Sequence, residues 1–131
     1  MKDASLLRYS RQIMLPGFDI VGQQRIAGAR VLVVGMGGLG CPAAMYLTAA
    51  GVGSLTVVDD DVVELTNLQR QIAHTERDLG QSKVESAQNT LAALNPEVNV
   101  VAINERVEAD RLRELAEQVD CLLYTSPSPR D

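Results

Sequence analysis

The chain has 131 residues, of which 46% are hydrophobic, and its formal net charge is −5. This length suits one domain with a real core, and the lack of an apolar run near the length of a membrane span excludes an integral membrane protein. The acidic balance, without a basic stripe, disfavours binding to nucleic acid. The amino terminus has no apolar core of the signal-peptide kind, and Cys41 and Cys121 are far apart. A cytoplasmic protein without a disulfide framework is therefore expected.

The chain opens with a segment that is predicted to be helical over residues 1–28, with a break at "LPG". Val31 to Val34 follow as a run of β-branched and aliphatic residues, which is typical of a strand buried on both faces. The helix expected next is rich in small apolar residues, has Pro42 in its first turn and ends near Gly51. The order of these elements is that of a nucleotide-binding unit.

A glycine motif joins this strand to this helix. Gly35-x-Gly37-x-x-Gly40 supplies a tight turn, a close backbone approach to phosphate and close contact between helix and strand. The second strand, Leu55 to Val58, finishes at Asp59, where a carboxylate that binds ribose is expected. Phosphate would lie at the amino end of the helix. The alternative is a glycine-rich turn needed only for packing.

The rest of the chain continues to alternate helices and strands after an irregular segment over residues 59–80. Ser82 and Glu85 are spaced as a capping box at the start of a helix that ends before Pro96. "VNVVAI", "EADRLRELAEQV" and "DCLL" are then predicted as strand, helix and strand. This alternation predicts a Rossmann-like α/β domain over residues 29–123, with a largely parallel, doubly wound sheet.

The irregular segment favours ATP over a nicotinamide dinucleotide as the ligand. Asn67, Arg70 and Lys83 are an amide and two cations expected at the carboxyl ends of neighbouring strands, where cations can neutralise a triphosphate. The alternative is that Arg70 and Lys83 are surface charges and Asn67 is a turn residue. His74 is expected to be a surface or loop residue, and Cys41 a small buried core residue.

Four stretches carry a family resemblance: "RYSRQIMLPGFDIVGQ", "VLVVGMGGLGCPAA", "AGVGSLTVVDDDVVELTNLQRQ" and "GQSKVESA". From about Leu6 to about Leu123 the chain resembles the MoeB/ThiF/HesA-type adenylyltransferases, which are related to ubiquitin-activating enzymes. It is most similar to the molybdopterin-synthase branch. Among the motifs, "NLQRQ" at this spacing from the glycine loop is the most specific.

The resemblance implies ATP-dependent adenylation of the carboxyl-terminal glycine of a ubiquitin-like sulfur-carrier protein that ends in Gly-Gly. Gly38 would lie against the nucleotide together with the other loop glycines, Asp59 would hold the ribose, and Asn67, Arg70 and Lys83 would contact the phosphates. Arg11 matches an arginine that reaches the active site of the partner subunit, which implies a homodimer. The alternative for Arg11 is a plain surface or packing residue.

The chain departs from the family pattern after Asp120. The family has an aspartate there that helps to bind Mg²⁺, and by spacing Pro127 takes its place, so no metal-binding residue is assigned. Residues 124–131 are interpreted as a non-native, disordered tail, the alternative being a divergent terminus. The structural Zn²⁺ is expected only in the family's second half, which has no counterpart in this sequence. Because that half and the Mg²⁺-binding aspartate are both missing, the resemblance implies a truncated, inactive chain. An NAD-dependent oxidoreductase and a non-catalytic nucleotide-binding or dimerisation fragment remain alternatives.

Overall fold

The computed structural model describes residues 2–124 as an α/β domain that follows a short helical segment. The helices are α1 (Asp3–Arg8), α2 (Ser10–Ile13), α3 (Asp19–Ala27), α4 (Gly40–Ala50), α5 (Lys83–Leu94) and α6 (Ala109–Ala116). The strands are β1 (Arg30–Val34), β2 (Ser54–Val58), β3 (Asn99–Ile103) and β4 (Cys121–Tyr124). Two 3₁₀ turns, Leu65–Asn67 and Glu76–Asp78, interrupt the segment between β2 and α5.

The four strands form a parallel sheet in the order β3-β2-β1-β4. The chain moves outward from β1 through β2 to β3 and then crosses back to place β4 on the other side of β1. Ligands of such sheets bind beyond the carboxyl ends of the strands, where the strand order reverses. The predicted Rossmann-like, parallel architecture is confirmed, and its reversal point lies beside the glycine loop that follows β1.

Helices cover both faces of the sheet, as expected for a doubly wound fold. One face packs against α4 and α5, and the other packs against α6. The side chains of β1 alternate between these two clusters because successive residues of a strand point to opposite faces. The buried residues on the α4 and α5 side include Val31, Val33, Leu55, Val57, Ala44, Ala87 and Leu91. Those on the α6 side are Leu32, Val58 and Leu115.

The amino-terminal helices pack at the end of the sheet that is opposite the glycine loop. Gln12 and Gln23 both donate side-chain hydrogen bonds to the carbonyl oxygen of Ala50, the last residue of α4. Asn95, just after α5, donates to the Tyr9 hydroxyl at 2.8 Å. Helices α4 and α5 run antiparallel to the strands, so their carboxyl ends, and these contacts with them, lie near the amino ends of β2 and β3.

Two sequence predictions can be compared with this structure at its chain ends. The predicted tail begins at Tyr124, but this residue pairs with Val34 as the last residue of β4. The rest of the tail, including Pro127, lies outside the described residues. Within residues 2–124, the longest apolar helices fall short of what a membrane crossing requires.

Gly51, at the carboxyl end of α4, is expected to resist substitution for two separate reasons. Its φ of 92° is a left-handed conformation, and an added Cβ would lie 2.6 Å from the Tyr9 ring. Gly17 has a similar φ of 81° but open space around it. Gly17→Ala should therefore lower the free energy of unfolding by about 1 kcal/mol and Gly51→Ala by about 2 kcal/mol in urea unfolding. Equal losses of unfolding free energy in the two variants would show that the Tyr9 ring moves aside without an energetic penalty.

Candidate functional site

The glycine loop between β1 and α4 leaves backbone donors at the amino end of a helix. Gly35 turns the chain out of β1 with a φ of 100°, a conformation that side chains disfavour. No side chain caps α4 at Leu39. Within residues 2–124, the N–H groups of Gly37 and Gly38 donate to no backbone acceptor. An uncapped helix end with open N–H groups is suited to binding an anion.

Asp59, at the carboxyl end of β2, is fixed in place by two backbone hydrogen bonds. Its Oδ2 accepts from the N–H of Met36 at 2.7 Å, and its Oδ1 accepts from the N–H of Asp61 at 2.8 Å. The first bond ties this carboxylate to the glycine loop. Each oxygen keeps a lone pair for a ligand hydroxyl, so Asp59 can receive a ribose without rearranging.

A cleft of about 490 Å³ lies over these residues, at the carboxyl ends of the strands. Gly35 and Gly37 line one side and Asp59 lies beside them. The remaining lining residues come from β1, β2, β4, the start of α5 and the loop after β3, and they are Val34, Val58, Asp60, Asp61, Lys83, Glu105, Arg106, Val107, Glu108 and Tyr124. This volume is in the range of small-molecule and cofactor sites.

Lys83 brings a buried positive charge to the cleft. It is the first residue of α5 and only 4% exposed, and its Nζ lies 3.7 Å from the exposed carboxylate of Asp61. A cation at the amino end of a helix is disfavoured by the helix dipole, and burial adds a desolvation cost. The Ser82 hydroxyl caps α5 by accepting from the N–H of Glu85, as predicted, so the helix starts where the sequence indicates. An anion in the cleft would offset both costs of Lys83.

Asn67 and Arg70, by contrast, do not line this cleft. Asn67 is buried in a 3₁₀ turn, where its carbonyl accepts from the N–H of Gln71. The Arg70 guanidinium donates to the Thr66 carbonyl at 3.1 Å, and its Nε is buried without a partner among the described residues. The segment folds upon itself through these local bonds, and both side chains stay outside the lining of the cleft.

Arg11 is exposed on α2, far from the cleft of its own chain. The next residue, Gln12, contacts Ala50 at the carboxyl end of α4, whereas the glycine loop lies at the amino end. An 11-residue helix is about 16 Å long, so Arg11 and the cleft are separated by roughly that distance. The structure brings Gly35, Gly37, Asp59 and Lys83 together and leaves Arg11 out of this group.

His74 lies in the loop before α5, as predicted, but it is not a surface residue. It is 3% exposed, with Nδ1 2.8 Å from the Ser86 hydroxyl and Nε2 3.1 Å from the Met36 carbonyl oxygen. Burial lowers the pKa of His74, an effect that outweighs the hydrogen bond to Met36, so the ring is neutral at physiological pH. The sequence missed this burial because Met36 and Ser86 are distant along the chain.

Cys41 is fully buried against the same ring, which confirms the prediction of a core residue. Burial raises the pKa of its thiol to about 11. Because the thiolate is the reactive form, Cys41 should resist iodoacetamide at pH 8 while the exposed Cys121 is alkylated. Peptide mass spectrometry checks this, with both cysteines reacting in denaturant as the control. Equal labelling of the folded chain would contradict the burial of Cys41.

Metal ligands are sparse in the part of the chain that the structure describes. Asp59, Asp60 and Asp61 can each bring one oxygen within 4.8 Å of the others. Asp59 accepts from two backbone donors and Asp61 faces Lys83, whereas Asp60 is exposed. Zn²⁺ does not fit the cysteines of residues 2–124, since Cys41 is a buried protonated thiol on α4 and Cys121 lies on β4.

One group of lining residues was missed by the sequence analysis. Glu105, Arg106, Val107 and Glu108 occupy the loop between β3 and α6 and form the far wall of the cleft. Their position immediately after a predicted strand was the available signal, because every carboxyl end of a parallel sheet faces the same edge. With Asp59, Asp60 and Asp61, this loop makes the polar lining mostly acidic, against the two cations Lys83 and Arg106.

Comparisons with known proteins agree with this geometry. Residues 9–126 match the model of the ThiF family. The molybdopterin-synthase adenylyltransferase of Salmonella typhimurium is 50% identical over 115 residues, which are 88% of this chain and 46% of that protein. The sulfur carrier protein ThiS adenylyltransferase of Escherichia coli is 43% identical over 123 residues, or 94% of this chain and 49% of the relative. The chain thus spans about half the length of these relatives.

A solved structure shares the fold and carries a nucleotide. The tRNA N6-threonylcarbamoyladenosine dehydratase TcdA of E. coli, in complex with ATP, superposes with a TM-score of 0.89 at 30% identity. The match covers 98% of this chain and 53% of TcdA. The family match spans the glycine loop, Asp59 and Lys83, which are the residues that the fold assembles around one cleft. The chain therefore belongs to the ThiF family, whose relatives named here include adenylyltransferases of sulfur-carrier proteins.

Proposed function

We propose that this chain contributes the ATP site of an enzyme that adenylates the carboxyl-terminal glycine of a ubiquitin-like sulfur-carrier protein. The observation that carries the proposal is the buried ammonium of Lys83 on the same cleft as the open end of α4. Both features favour a polyanion, and Asp59 beside them suits a ribose. A nicotinamide dinucleotide would use the glycines and Asp59, but its two ionised phosphates and cationic ring would offset the buried charge less than a triphosphate does.

The reaction requires charge neutralisation more than proton transfer. The carboxylate of the carrier is already ionised and attacks the α-phosphorus of ATP, while the bond from that phosphorus to the pyrophosphate oxygen breaks. The products are the carrier acyl-adenylate and pyrophosphate, and no general base is needed. Donors held in position at the helix end and by Lys83 would stabilise the charge that develops on the phosphate oxygens.

Asn67 and Arg70 are proposed to contact the phosphates after a movement of their loop. The support is the buried Arg70 Nε, a guanidinium donor that no described residue accepts from. Among the described residues, the Arg70 guanidinium donates to the Thr66 carbonyl, a contact that is local and replaceable. A phosphate would supply a stronger, charged acceptor.

Mg²⁺ is proposed to enter the site together with ATP. The polar lining is mostly acidic, so a bare triphosphate would meet repulsion from Asp60, Asp61 and Glu105. The metal would lower this repulsion and stabilise the leaving pyrophosphate. The helix end and Lys83 would hold the phosphates, and Asp60, Asp61 and Glu105 are the lining carboxylates that would be available to the metal.

Arg11 is proposed to act on the site of a second copy in a homodimer. The support is that it lies about one helix length from the cleft of its own chain. In a protein that also carries the family's second half, mixing Arg11→Ala chains with Lys83→Ala chains would then restore part of the lost activity, because one site of a mixed dimer keeps both cations. Mixed dimers without any recovery would show that Arg11 does not act across subunits.

Carrier-dependent exchange of labelled pyrophosphate into ATP, measured on a protein that joins this chain to a second half of the family's kind, tests the proposed reaction. Exchange should require a carrier protein ending in Gly-Gly and should fall to background when its last glycine is deleted. Lys83→Met should abolish it, whereas Arg77→Met, which removes an exposed cation of the same segment, should not. ATP binding without carrier-dependent exchange would overturn the proposed reaction and leave a nucleotide-binding module.

A further inference from the structure

The peptide groups on both sides of Met36, inside the glycine loop, are held by side chains from elsewhere in the fold. The Met36 N–H donates to Asp59 Oδ2, and its carbonyl oxygen lies 3.1 Å from His74 Nε2. Met36 is fully buried. The first bond is part of the ribose site already described, whereas the second comes from a residue that the proposed reaction does not use.

The carbonyl of Met36 and the N–H of Gly37 belong to the same peptide group. In a trans peptide these two dipoles point in opposite directions, and the described residues contain no cis peptide. A donor fixed on the Met36 carbonyl therefore directs the Gly37 N–H away from His74. Gly37 lines the cleft, and its N–H has no backbone acceptor within residues 2–124.

The Met36 carbonyl favours the tautomer of His74 that can donate to it, because a carbonyl oxygen only accepts. With the proton on Nε2, Nδ1 accepts from the Ser86 hydroxyl at 2.8 Å, and the Asp78 carboxylate is the competing acceptor for that hydroxyl. Ser86, on α5, is fully buried. The charged groups near the ring are Asp59, Asp78 and Lys83. The buried Cys41 thiol lies 3.5 Å from Nε2 and is a second, weaker donor to the Met36 carbonyl oxygen at 3.3 Å.

We propose that His74 is a positioning residue of the nucleotide site, which holds the Met36 carbonyl so that the Gly37 N–H points at phosphate. The inference rests on the proposed function for the identity of the ligand. The chain Ser86–His74–Met36 links α5 to the glycine loop through buried hydrogen bonds. The carbonyl bond also polarises the shared peptide group, which strengthens the Gly37 N–H as a donor.

The first arm of the test needs no ligand. Nitrogen-15 NMR of the imidazole in the unmodified chain at pH 7.5 should show the neutral Nε2–H tautomer. The Nδ1–H tautomer would overturn the proposal, because a ring in that state cannot donate to Met36. This arm decides the question even if the chain fails to bind ATP, an outcome that would count against the proposed function alone.

The second arm measures ATP affinity by calorimetry. His74→Phe removes the donor and should raise the Kd about tenfold, whereas His74→Gln places an amide N–H near the position of Nε2 and should stay within about threefold. Thr90→Val is the matched control, since it deletes another hydrogen bond from α5 to this loop, at the Ala73 carbonyl. It should lower the melting temperature without changing the Kd.

Two results in this arm would overturn the proposal. One is an unchanged Kd in His74→Phe, and the other is a Kd for His74→Gln as high as that for His74→Phe, since a purely packing role would not be rescued by a donor. If His74→Phe does not fold, Ser86→Ala replaces it. That variant should raise the Kd about threefold by releasing Nδ1, and an unchanged Kd with an unchanged tautomer would contradict the inference.

Discussion

Replacing Asp59 by alanine is expected to lower the free energy of unfolding by about 2–3 kcal/mol and to weaken nucleotide binding at the same time. The carboxylate accepts from the N–H groups of Met36 and Asp61, so its removal leaves two backbone donors without their charged acceptor. Hydrogen bonds to a charged group contribute about 1.5–3 kcal/mol each, and partial access to water reduces the total. Urea unfolding and calorimetric titration with ATP measure the two effects.

Asp60→Ala is the matched control for this prediction. Asp60 is the adjacent carboxylate and is exposed. Its loss should change the free energy of unfolding by no more than about 0.5 kcal/mol. A similar loss in both variants would mean that Asp59 acts through general charge and not through its bonds to the glycine loop.

Lys83→Met should weaken ATP binding about a hundredfold without destabilising the ligand-free chain. The ammonium is 4% exposed and faces the cleft, so a bound triphosphate would interact with it in a largely desolvated place. Truncating one partner of such a charge pair costs about 2–5 kcal/mol of binding energy. In the ligand-free chain, however, replacing a buried charge by an apolar side chain of similar size is often neutral or stabilising.

A loss of ATP affinity without a loss of folding stability distinguishes a binding residue from a structural one. The partner carboxylate of Asp61 has a side chain that is 72% exposed, so water replaces its contact with Lys83. Arg77→Met removes an exposed cation from the preceding turn and should change neither quantity. A Lys83→Met chain that unfolds more easily yet binds ATP normally would assign Lys83 to the core.

The central βαβ unit was predictable because its signals are local. A continuous aliphatic run predicts β1, and small residues bounded by Pro42 and Gly51 predict α4. The carboxylate at the end of β2 follows from the spacing of the elements alone. In each case the residues that determine the structure are neighbours along the chain, so the local sequence pattern is enough to predict the element.

The segment between β2 and α5 was not predictable in the same way. His74 becomes a buried residue only because Ser86 from α5 and Met36 from the glycine loop meet around it. Arg70 turns toward its own loop by donating a hydrogen bond to the Thr66 carbonyl, and no periodic pattern in the sequence predicts this bond. Side-chain orientation in irregular segments depends on such contacts, which spacing does not encode.

Calorimetric titration of the chain with ATP and with NAD, both with Mg²⁺ present, tests the central claim most directly. The claim is that the cleft above Gly37, Asp59 and Lys83 is a triphosphate site. ATP should bind at least tenfold more tightly than NAD, and Lys83→Met should remove that preference while leaving any NAD binding unchanged. Equal or tighter binding of NAD by the unmodified chain would contradict the claim.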